Sequence, residues 1–430
     1  MVDGCVDAFV DDVMACGARG IISEPFTNYK AIARRHKDCF IAGEGDNRVL
    51  LRNDPAEIRR MVESMTSRER MLTVLNNGRP DRLPCQVHGW MPYYLQNYLG
   101  GMDWWQAYEK FDMDFAIYTG PAYTYDPASW SRWVEKRIDL GADKSGNRCE
   151  RIEITTPKGV LSKEVATTDV TAYDTECLLK SLRDFEIWSE FYPVPTGVDF
   201  THVQAVRDRL GDRGIIRVHP FSPGQGSPWQ SFCYMFGTEH AIMLGIDEPQ
   251  TLHHILESIV QKTLRVTEMW KGIPADMVEV GGGAGSSTVI SPDFYREFGL
   301  PYDQRQNTLF HQAGLKVVNH FCGGLMPMLD LVVESGADGL ETMTPPSMGG
   351  DCDLREASRR VGDKLFFIGG FDQNAGFERG TPEEARRLVI ECFEATRDHA
   401  GYIVCPSDHF FHGEPACIQA FADAARDCVY

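Results

Sequence analysis

Two residues at the end of an apolar run, His320 and Cys322, are of types that bind metal ions. The run reads VVNHFCGG, so the imidazole and the thiol are two positions apart and two glycines follow. If the run is a β-strand, residues two apart point to the same face, and the glycines let the backbone turn directly afterwards. The pair is therefore half of a metal site or two ordinary side chains at the end of a buried strand.

A second apolar run, GYIVCPSDHFF, ends in Cys405 and supplies a candidate third ligand. A catalytic zinc site has three protein ligands drawn from nitrogen, sulfur and oxygen donors and one open position. Glu279, near the end of the predicted strand that precedes GGGAGSS, is a candidate general base or further ligand. Asp408 and His409 follow Cys405 closely and are candidates to orient a ligand or contact a substrate. On spacing alone, buried thiols and a polar surface loop explain the same residues.

An aromatic segment suggests a substrate pocket. Residues 87–111 read VHGWMPYYLQNYLGGMDWWQAYEKF, which combines tryptophans, tyrosines and methionines around one strand-to-helix transition. Such a segment suits the wall of an apolar pocket for an aromatic ligand or a flat cofactor, and it equally suits packing of the fold itself. The candidate substrate-binding residues are His88, Trp90, Met91, Tyr93, Tyr94 and, at the end of the run IIRVHPF, His219.

The elements that position these residues alternate between short apolar strands and longer helical stretches. Strands are predicted at CQVHGW and at 215–221, 277–283, 315–324, 338–343, 365–370 and 401–405, and SRERMLTVLNN predicts a helix with a capping-box-like start at Ser67 and Arg70. Near-continuous apolar strands that alternate with helices indicate an α/β fold with a parallel sheet. Closely spaced βα units over about 360 residues favour a (β/α)8 TIM barrel, with an open doubly wound sheet as the alternative.

Two segments depart from this alternation. Residues 145–170 are rich in threonine and alternate around Pro157–Gly159, which predicts an inserted β-hairpin. Residues 40–62 align without gaps on residues 367–389, which predicts that 1–65 form an N-terminal βα extension, a partial internal repeat of the barrel formed by 66–430. The extension contains no His-x-Cys pair and no counterpart of Cys405, so we expect no metal chemistry from it.

Composition narrows the class of protein. The formal net charge of −19 argues against nucleic acid and anionic membranes as partners, because both are bound through basic patches. The chain contains no run of 18 apolar residues, so the sequence predicts no membrane-spanning helix. The N-terminus is acidic where a secretory signal is basic, so we expect a cytoplasmic protein. In that compartment the 13 scattered cysteines are thiols or metal ligands rather than disulfides.

From about Ser67 to Tyr430 the chain resembles the uroporphyrinogen decarboxylase superfamily, and within it the branch of cobalamin-dependent methyltransferases. The resemblance is carried by RERMLTVLNNGRPDRLP, GGGAGSSTVISPDFYREFGLPY, VVNHFCGG, ESGADGLE, FIGGFDQN and GYIVCPSDHFF. It implies a (β/α)8 barrel. It also implies a Zn²⁺ site, since the positions that correspond to the zinc ligands of that branch are His320, Cys322 and Cys405.

The same resemblance implies methyl transfer that involves the cobalt of a corrinoid (cobalamin). No Asp-x-His-x-x-Gly motif occurs in the chain, so we expect the corrinoid to arrive on a partner protein. The loop VHGWMPYY lacks the arginines with which decarboxylases of the superfamily hold porphyrinogen carboxylates. Decarboxylation is therefore disfavoured. The aromatic pocket suggested by Trp90, Met91, Tyr93 and Tyr94, next to a Lewis-acid zinc, leads us to expect O-demethylation of a methoxylated aromatic donor. A coenzyme M-type thiol methyltransferase is the alternative, followed by a decarboxylase-like lyase.

Overall fold

The computed structural model describes residues 65–224, 226–399 and 401–430, together with two short strands at 20–22 and 40–42. The chain divides into two compact units, Met1–Met65 and Thr66–Tyr430. In the first unit, β1 (Gly20–Ile22) and β2 (Phe40–Ala42) pair in parallel. The rest of the predicted repeat lies outside the described residues, so the repeat stays a prediction.

The second unit alternates strands with helices. Its strands are β3 (Phe115–Tyr118), β4 (Ala122–Thr124), β5 (Val134–Ala142), β6 (Arg148–Thr156), β7 (Gly159–Thr167), β8 (Ala172–Glu176), β9 (Gly197–Asp199), β10 (Gly214–Val218), β11 (Met277–Gly281), β12 (Lys316–His320), β13 (Gly339–Thr342), β14 (Phe366–Phe371) and β15 (Tyr402–Pro406). Its α-helices are Ser67–Leu75, Pro92–Tyr98, Trp104–Phe111, Pro127–Ser131, Leu182–Phe191, Thr201–Leu210, Pro228–Phe236, Thr238–Asp247, Pro249–Thr267, Pro292–Phe298, Leu300–Gln312, Leu329–Glu334, Leu354–Val361, Pro382–Thr396 and Pro415–Asp427.

Seven parallel strands form one sheet in the order β15–β14–β13–β12–β11–β10–β3. Residues 84–86 join the two edges of this sheet. The Val404 amide donates to the Pro84 carbonyl at 3.0 Å, the Gln86 amide donates to the Val404 carbonyl at 3.1 Å, and the Asp114 amide donates to the Cys85 carbonyl at 3.0 Å. The sheet therefore closes into a barrel, which confirms the predicted α/β barrel. The segment CQVHGW contributes an isolated bridge between Cys85 and Val404 where a full strand was predicted.

Helix Ser67–Leu75 closes the barrel at the end where the strands begin. Its Met71, Val74 and Leu75 pack inside with residues near the starts of the strands. The helix begins where the sequence predicts it, but the capping box is formed one residue earlier. The Thr66 hydroxyl accepts from the Glu69 amide and the Glu69 carboxylate accepts from the Thr66 amide.

A buried carboxylate ties this helix to the segment that closes the barrel. Asp114 accepts hydrogen bonds from Arg70 Nη1 at 2.7 Å, from Arg82 Nη1 at 3.3 Å and from the Cys85 amide at 3.0 Å. Asp114 is fully buried and Arg70 is 4% exposed. Burial by itself would raise the pKa of Asp114, but the two guanidinium groups hold it below its ordinary value.

The predicted hairpin at 145–170 is the centre of a larger insertion. Strands β5 to β8 form a four-stranded antiparallel sheet in sequence order. The turn between β6 and β7 lies where the sequence predicts it, with Thr156 paired to Gly159. Sequence reasoning missed β5, because VEKRIDLGA is charged and almost wholly exposed along its length. No helix within the described ranges combines the length and apolar character that crossing a membrane requires.

Candidate metal and substrate site

Four neighbouring strands each carry a charged or imidazole side chain near their C-terminal ends. These side chains are Arg217 on β10, Glu279 on β11, His320 on β12 and Glu341 on β13. Three of them lie two positions after a residue of the inner apolar core, namely Ile215, Met277 and Val318. Because side chains alternate between the two faces of a strand, this spacing points all three into the barrel. The barrel interior therefore changes from apolar to polar towards the ends of the strands.

Arg217 and His320 both contact the two carboxylates. Arg217 Nη2 donates to Glu279 Oε2 at 2.8 Å and to Glu341 Oε2 at 2.5 Å. His320 Nδ1 lies 2.9 Å from Glu341 Oε1 and 3.4 Å from Glu279 Oε1. An ionised carboxylate accepts hydrogen bonds and does not donate them, so Nδ1 carries a proton. The other ring nitrogen, Nε2, is left for a metal ion or a second partner.

Each of these groups has a shifted pKa. Burial would raise the pKa of Glu279, but the charges of Arg217, His88 and His320 hold it well below its ordinary value. Burial would lower the pKa of His320, but contacts with the Cys322 thiol and the Glu341 carboxylate raise it above its ordinary value. Burial lowers the pKa of His88 well below its ordinary value. Glu279 is therefore an anion and His88 a neutral imidazole near neutral pH.

Three imidazoles extend from this cluster towards the surface. The His88 ring lies 5.1 Å from the His320 ring and 4.8 Å from the His409 ring, measured between centroids. His88 is buried whereas His409 is exposed. One ligand atom from each of His88, Glu279, His320 and Glu341 lies within 4.8 Å of the others. The group thus has the composition of a cation site with mixed nitrogen and oxygen donors.

Tyr118 connects the cluster to the cavity above it. Its hydroxyl donates to the Glu279 carboxylate, and the Arg217 guanidinium lies 4.6 Å from the centre of its ring. The His219 ring stacks on the same tyrosine at 4.9 Å with an interplanar angle of 12°. Tyr118 is therefore held from three sides by a carboxylate, a guanidinium and an imidazole.

A cavity of about 520 Å³ lies directly above Glu279 and His88. It is lined by His88, Gly89, Trp90, Met91, Pro92, Trp104, Tyr118, His219, Pro220, Ser222, Gly224, Glu279 and His409. No lysine or arginine is among these lining residues, and Glu279 is the one carboxylate among them. The cavity therefore suits a neutral ligand with a flat apolar body better than an anion with several carboxylates.

The structure brings two of the three predicted zinc ligands together. Cys322 is close enough to the His320 imidazole to raise its pKa, and a Cβ atom at Gly283 would lie 2.9 Å from the Cys322 sulfur. Cys405 lies within the inner core of the barrel, where Gln86 Nε2 faces its sulfur at 4.0 Å. Burial raises the pKa of the Cys405 thiol, although the charge of Arg217 opposes that rise. Cys405 is thus on the inner face of its strand, but outside the cluster around His320.

The predicted substrate and catalytic residues divide into two groups. His88, Trp90, Met91, His219, Glu279 and His409 line the cavity. Tyr93, Tyr94 and Asp408 are not among the lining residues. Tyr94 is buried and donates to the Gly413 carbonyl at 3.0 Å, and the Tyr93 ring packs against His412 at 5.4 Å. Asp408 accepts from the His409 amide at 2.7 Å, so it orders the loop that carries His409.

Sequence reasoning missed Arg217, Glu341 and Tyr118, and it included Trp104 in the aromatic segment 87–111 without naming it as a candidate. The first two carried a usable signal, because each places a charge inside an otherwise apolar strand, in IIRVHPF and DGLETM. A charge in a buried strand requires a partner of opposite sign. Tyr118 ends the run FAIY, and its position does not stand out without knowledge of which strands are neighbours.

Comparisons with known proteins agree with this architecture. A profile of the family described as "Uroporphyrinogen decarboxylase (URO-D)" matches residues 201–428, more than half of the chain. The uroporphyrinogen decarboxylase of Thioalkalivibrio sulfidiphilus (strain HL-EbGR7) is 32% identical over 186 residues, which cover 40% of this chain and 50% of that protein. The similar curated proteins compared are enzymes.

Two further similarities are to methyltransferases. The methylated-thiol–coenzyme M methyltransferase of Methanosarcina mazei is 22% identical over 182 residues, which cover 42% of this chain and 47% of that protein. A solved structure described as a methyltransferase from Methanosarcina mazei superposes with a TM-score of 0.56 at 15% identity, covering 85% of this chain and 99% of that chain. That superposition shows a shared fold. The chain spans about half the length of the curated relatives it matches.

Proposed function

Since the chain belongs to the uroporphyrinogen decarboxylase family, we propose that it is a zinc-dependent methyltransferase of that family. It moves a methyl group from a methoxylated aromatic compound to the cobalt(I) of a corrinoid carried on a partner protein. The observation that carries the proposal is the position of His320 and Cys322. Cys322 is close enough to His320 to raise the pKa of its ring. That ring lies 5.1 Å from the His88 ring, and its Nδ1 lies 3.4 Å from Glu279; His88 and Glu279 line an aromatic cavity without lysine or arginine.

The charge of the cavity favours this reaction over decarboxylation. A substrate with several carboxylates needs cationic partners, and the lining residues supply none. Burying its carboxylates unpaired next to the Glu279 anion would be unfavourable. A neutral methoxyarene carries no such penalty, and the faces of Trp104 and Tyr118 offer an aromatic ring flat surfaces to pack against.

The residues present fit a zinc ion in their donor chemistry. A histidine that binds zinc commonly donates its other ring N–H to a carboxylate, as His320 Nδ1 does to Glu341. Cys322 is beside the same ring, and Cys405 is the inward-facing thiol of β15. We assign His320, Cys322 and Cys405 as the ligands. Zinc bound there would polarise an ether oxygen or hold a thiol as its thiolate.

The remaining site residues bind the methyl donor and deliver a proton to the leaving group. Trp90, Met91 and His219 form cavity walls that exclude water from the methoxy group. Glu279 is held as an anion, so its role is to fix Tyr118 and His320 rather than to donate a proton. The departing phenolate takes up a proton. Burial lowers the pKa of His409 and leaves its ring neutral near neutral pH, so His409, which lies beside His88 at the rim of the cavity, is positioned to pass on a proton taken up from solvent. Asp408 positions His409 through its backbone amide.

A second candidate function is methyl transfer from a corrinoid protein to a thiol of the coenzyme M type. The observation that favours it is the similarity to the methylated-thiol–coenzyme M methyltransferase of Methanosarcina mazei. Both reactions use the same ligand set. They differ in both the methyl donor and the methyl acceptor, so assays that start from opposite states of the corrinoid separate them.

The decisive measurement is the zinc content of the purified protein beside that of Cys405→Ser. We expect about one zinc per chain, lost in Cys405→Ser and retained in the matched control Cys417→Ser. Cys417 is a buried cysteine in the helix Pro415–Asp427, and its thiol donates a hydrogen bond to the Gly380 carbonyl. Methoxyarenes are then tested with a cobalt(I) corrinoid, with the appearance of the visible spectrum of methylcobalt as the readout, and thiols are tested with a methylcobalt(III) corrinoid, with the loss of that spectrum as the readout. Absence of zinc from wild type and from every variant would refute the proposal.

A further inference from the structure

A group of nitrogen and oxygen donors inside the barrel has the composition of a cation site. It lies on the carboxylate side of His320, that is, the side on which Nδ1 faces Glu341 and Glu279. His88, Glu279, His320 and Glu341 each place a ligand atom within 4.8 Å of the others, and all four are buried. Two carboxylates and two imidazoles are donors that suit Mn²⁺ and other divalent ions. Taken alone, the cluster would compete with the thiol side of His320 for a metal ion.

A side chain already occupies the position between the carboxylates. Arg217 Nη2 is bonded to Glu279 Oε2 at 2.8 Å and to Glu341 Oε2 at 2.5 Å. Arg217 is fully buried, and the ring of Tyr118 lies 4.6 Å from its guanidinium carbon. A guanidinium does not release its proton in a protein. The positive charge at this point is therefore permanent.

The other two side-chain nitrogens of Arg217 contribute little to holding it between Glu279 and Glu341. Its Nε and Nη1 are buried and have no hydrogen-bond partner among the described residues. Arg217 thus leaves two donors unsatisfied while it spans Glu279 and Glu341. The strong interactions of this side chain are with the two carboxylates, as expected of a cation held between anions.

We infer that Arg217 is the resident cation of this cluster and that it excludes divalent metal ions from the carboxylate side of His320. A metal ion placed among the same oxygens would lie next to the guanidinium charge, and like charges repel strongly where water is excluded. His320 Nδ1 is engaged by Glu341 on that side. Nε2 is then the ring nitrogen left for zinc. The inference rests on the proposed function only in the statement that Nε2 of His320 binds zinc.

The test compares binding of Mn²⁺ by the full-length wild type, by Arg217→Gln and by the charge-preserving control Arg217→Lys. Free Mn²⁺ is followed by electron paramagnetic resonance. We expect wild type and Arg217→Lys to leave the Mn²⁺ signal unchanged and Arg217→Gln to remove about one equivalent per chain, since oxygen and imidazole donors suit this ion. The double variant Arg217→Gln/Glu341→Gln lacks one carboxylate and is expected to lose that binding.

Arg217→Gln leaves two buried carboxylates without their cation, so its folding is measured as well. We expect its melting temperature to rise on addition of Mn²⁺ and that of Arg217→Lys to stay constant. The inference is wrong if wild type binds Mn²⁺ and loses it in Glu279→Gln, or if folded Arg217→Gln binds none. It is also wrong if Arg217→Gln stays insoluble when expressed with Mn²⁺. Zinc in the same preparations reports separately on the proposed function.

Discussion

Gly283 limits how the predicted zinc ligand Cys322 can be placed. The loop 281–286 crosses the end of β12, and a Cβ atom at Gly283 would lie 2.9 Å from the Cys322 sulfur. The same loop is fixed from its other side, because the Ala284 amide donates to Gln230 Oε1 at 2.8 Å and Trp229 Nε1 donates to the Ala284 carbonyl at 2.8 Å. In Gly283→Ala the loop therefore has little freedom to retreat, and the thiol is the group that must move.

The size of that movement follows from contact distances. Non-bonded atoms are at rest at about 3.5–4.0 Å, so a 2.9 Å approach requires the sulfur to shift by about 0.6–1.1 Å. Metal–ligand distances tolerate only about 0.2 Å. We expect Gly283→Ala to weaken zinc binding by about 10- to 100-fold, the range found when groups that orient ligands are changed. The fold is expected to be retained, since no core side chain is removed.

The assay is a zinc competition titration with a chromogenic chelator, supported by the rate at which Cys322 is alkylated. The matched control is Gly120→Ala, because a Cβ at Gly120 meets nothing within 4 Å. Wild-type zinc affinity in Gly283→Ala, with Gly120→Ala also unchanged, would refute the assignment of Cys322 as a ligand. A loss in both variants would show that the effect is not local.

Three further predictions concern stability and metal binding. Asp114→Ala leaves the buried Arg70 guanidinium without one of its carboxylates, so the free energy of unfolding in urea should fall by about 3 kcal/mol. The control is Glu394→Ala, at an exposed position, which should lower the free energy of unfolding by less than about 1 kcal/mol. Burial raises the pKa of Asp303 from 3.8 to about 7, so the native state retains a proton that the unfolded chain has lost. Stability should thus decline between about pH 4 and pH 7 by an amount on the order of 4 kcal/mol, and urea unfolding of Asp303→Asn should lack that decline. Cys322→Ala should lose zinc and turnover while its circular dichroism spectrum stays that of a folded barrel; a variant that keeps both metal and activity would contradict the site assignment.

The sequence was sufficient for most of the barrel because its strands are local patterns. The runs at 277–283, 365–370 and 401–405 coincide with β11, β14 and β15 to within two residues, since continuous apolar runs bounded by glycine or proline are typical of buried parallel strands. The first strand position was predicted less well. Residues 84–86 pair with Val404, more than 300 positions away in the chain. The residues around position 85 do not show that this pairing has few hydrogen bonds, so a full strand was predicted there.

The candidate site was predictable in its residue types and less so in its partners. His320 and Cys322 are two apart in sequence, and their proximity follows from that spacing. Arg217 meets its partners 62 and 124 positions along the chain, so its role depends on strand order that no local pattern contains. The aromatic residues show the same limit. Trp90 and Tyr94 read alike in the sequence, but Trp90 borders the cavity and Tyr94 is tied to Gly413 inside the core.

The narrow closure of the barrel has a consequence for its motions. Among the described residues, two backbone hydrogen bonds, Val404 to Pro84 and Gln86 to Val404, join residues 84–86 to β15, and the Gln86 side chain faces the Cys405 sulfur at 4.0 Å. By contrast, β14 and β15 are paired over five positions. Local opening in native proteins begins where few hydrogen bonds must break together. Transient separation at this seam would move His88 away from Cys405, and with it the wall of the cavity away from a candidate zinc ligand. Amide hydrogen exchange is therefore expected to be faster at Gln86 and Val404 than at the centre of the sheet.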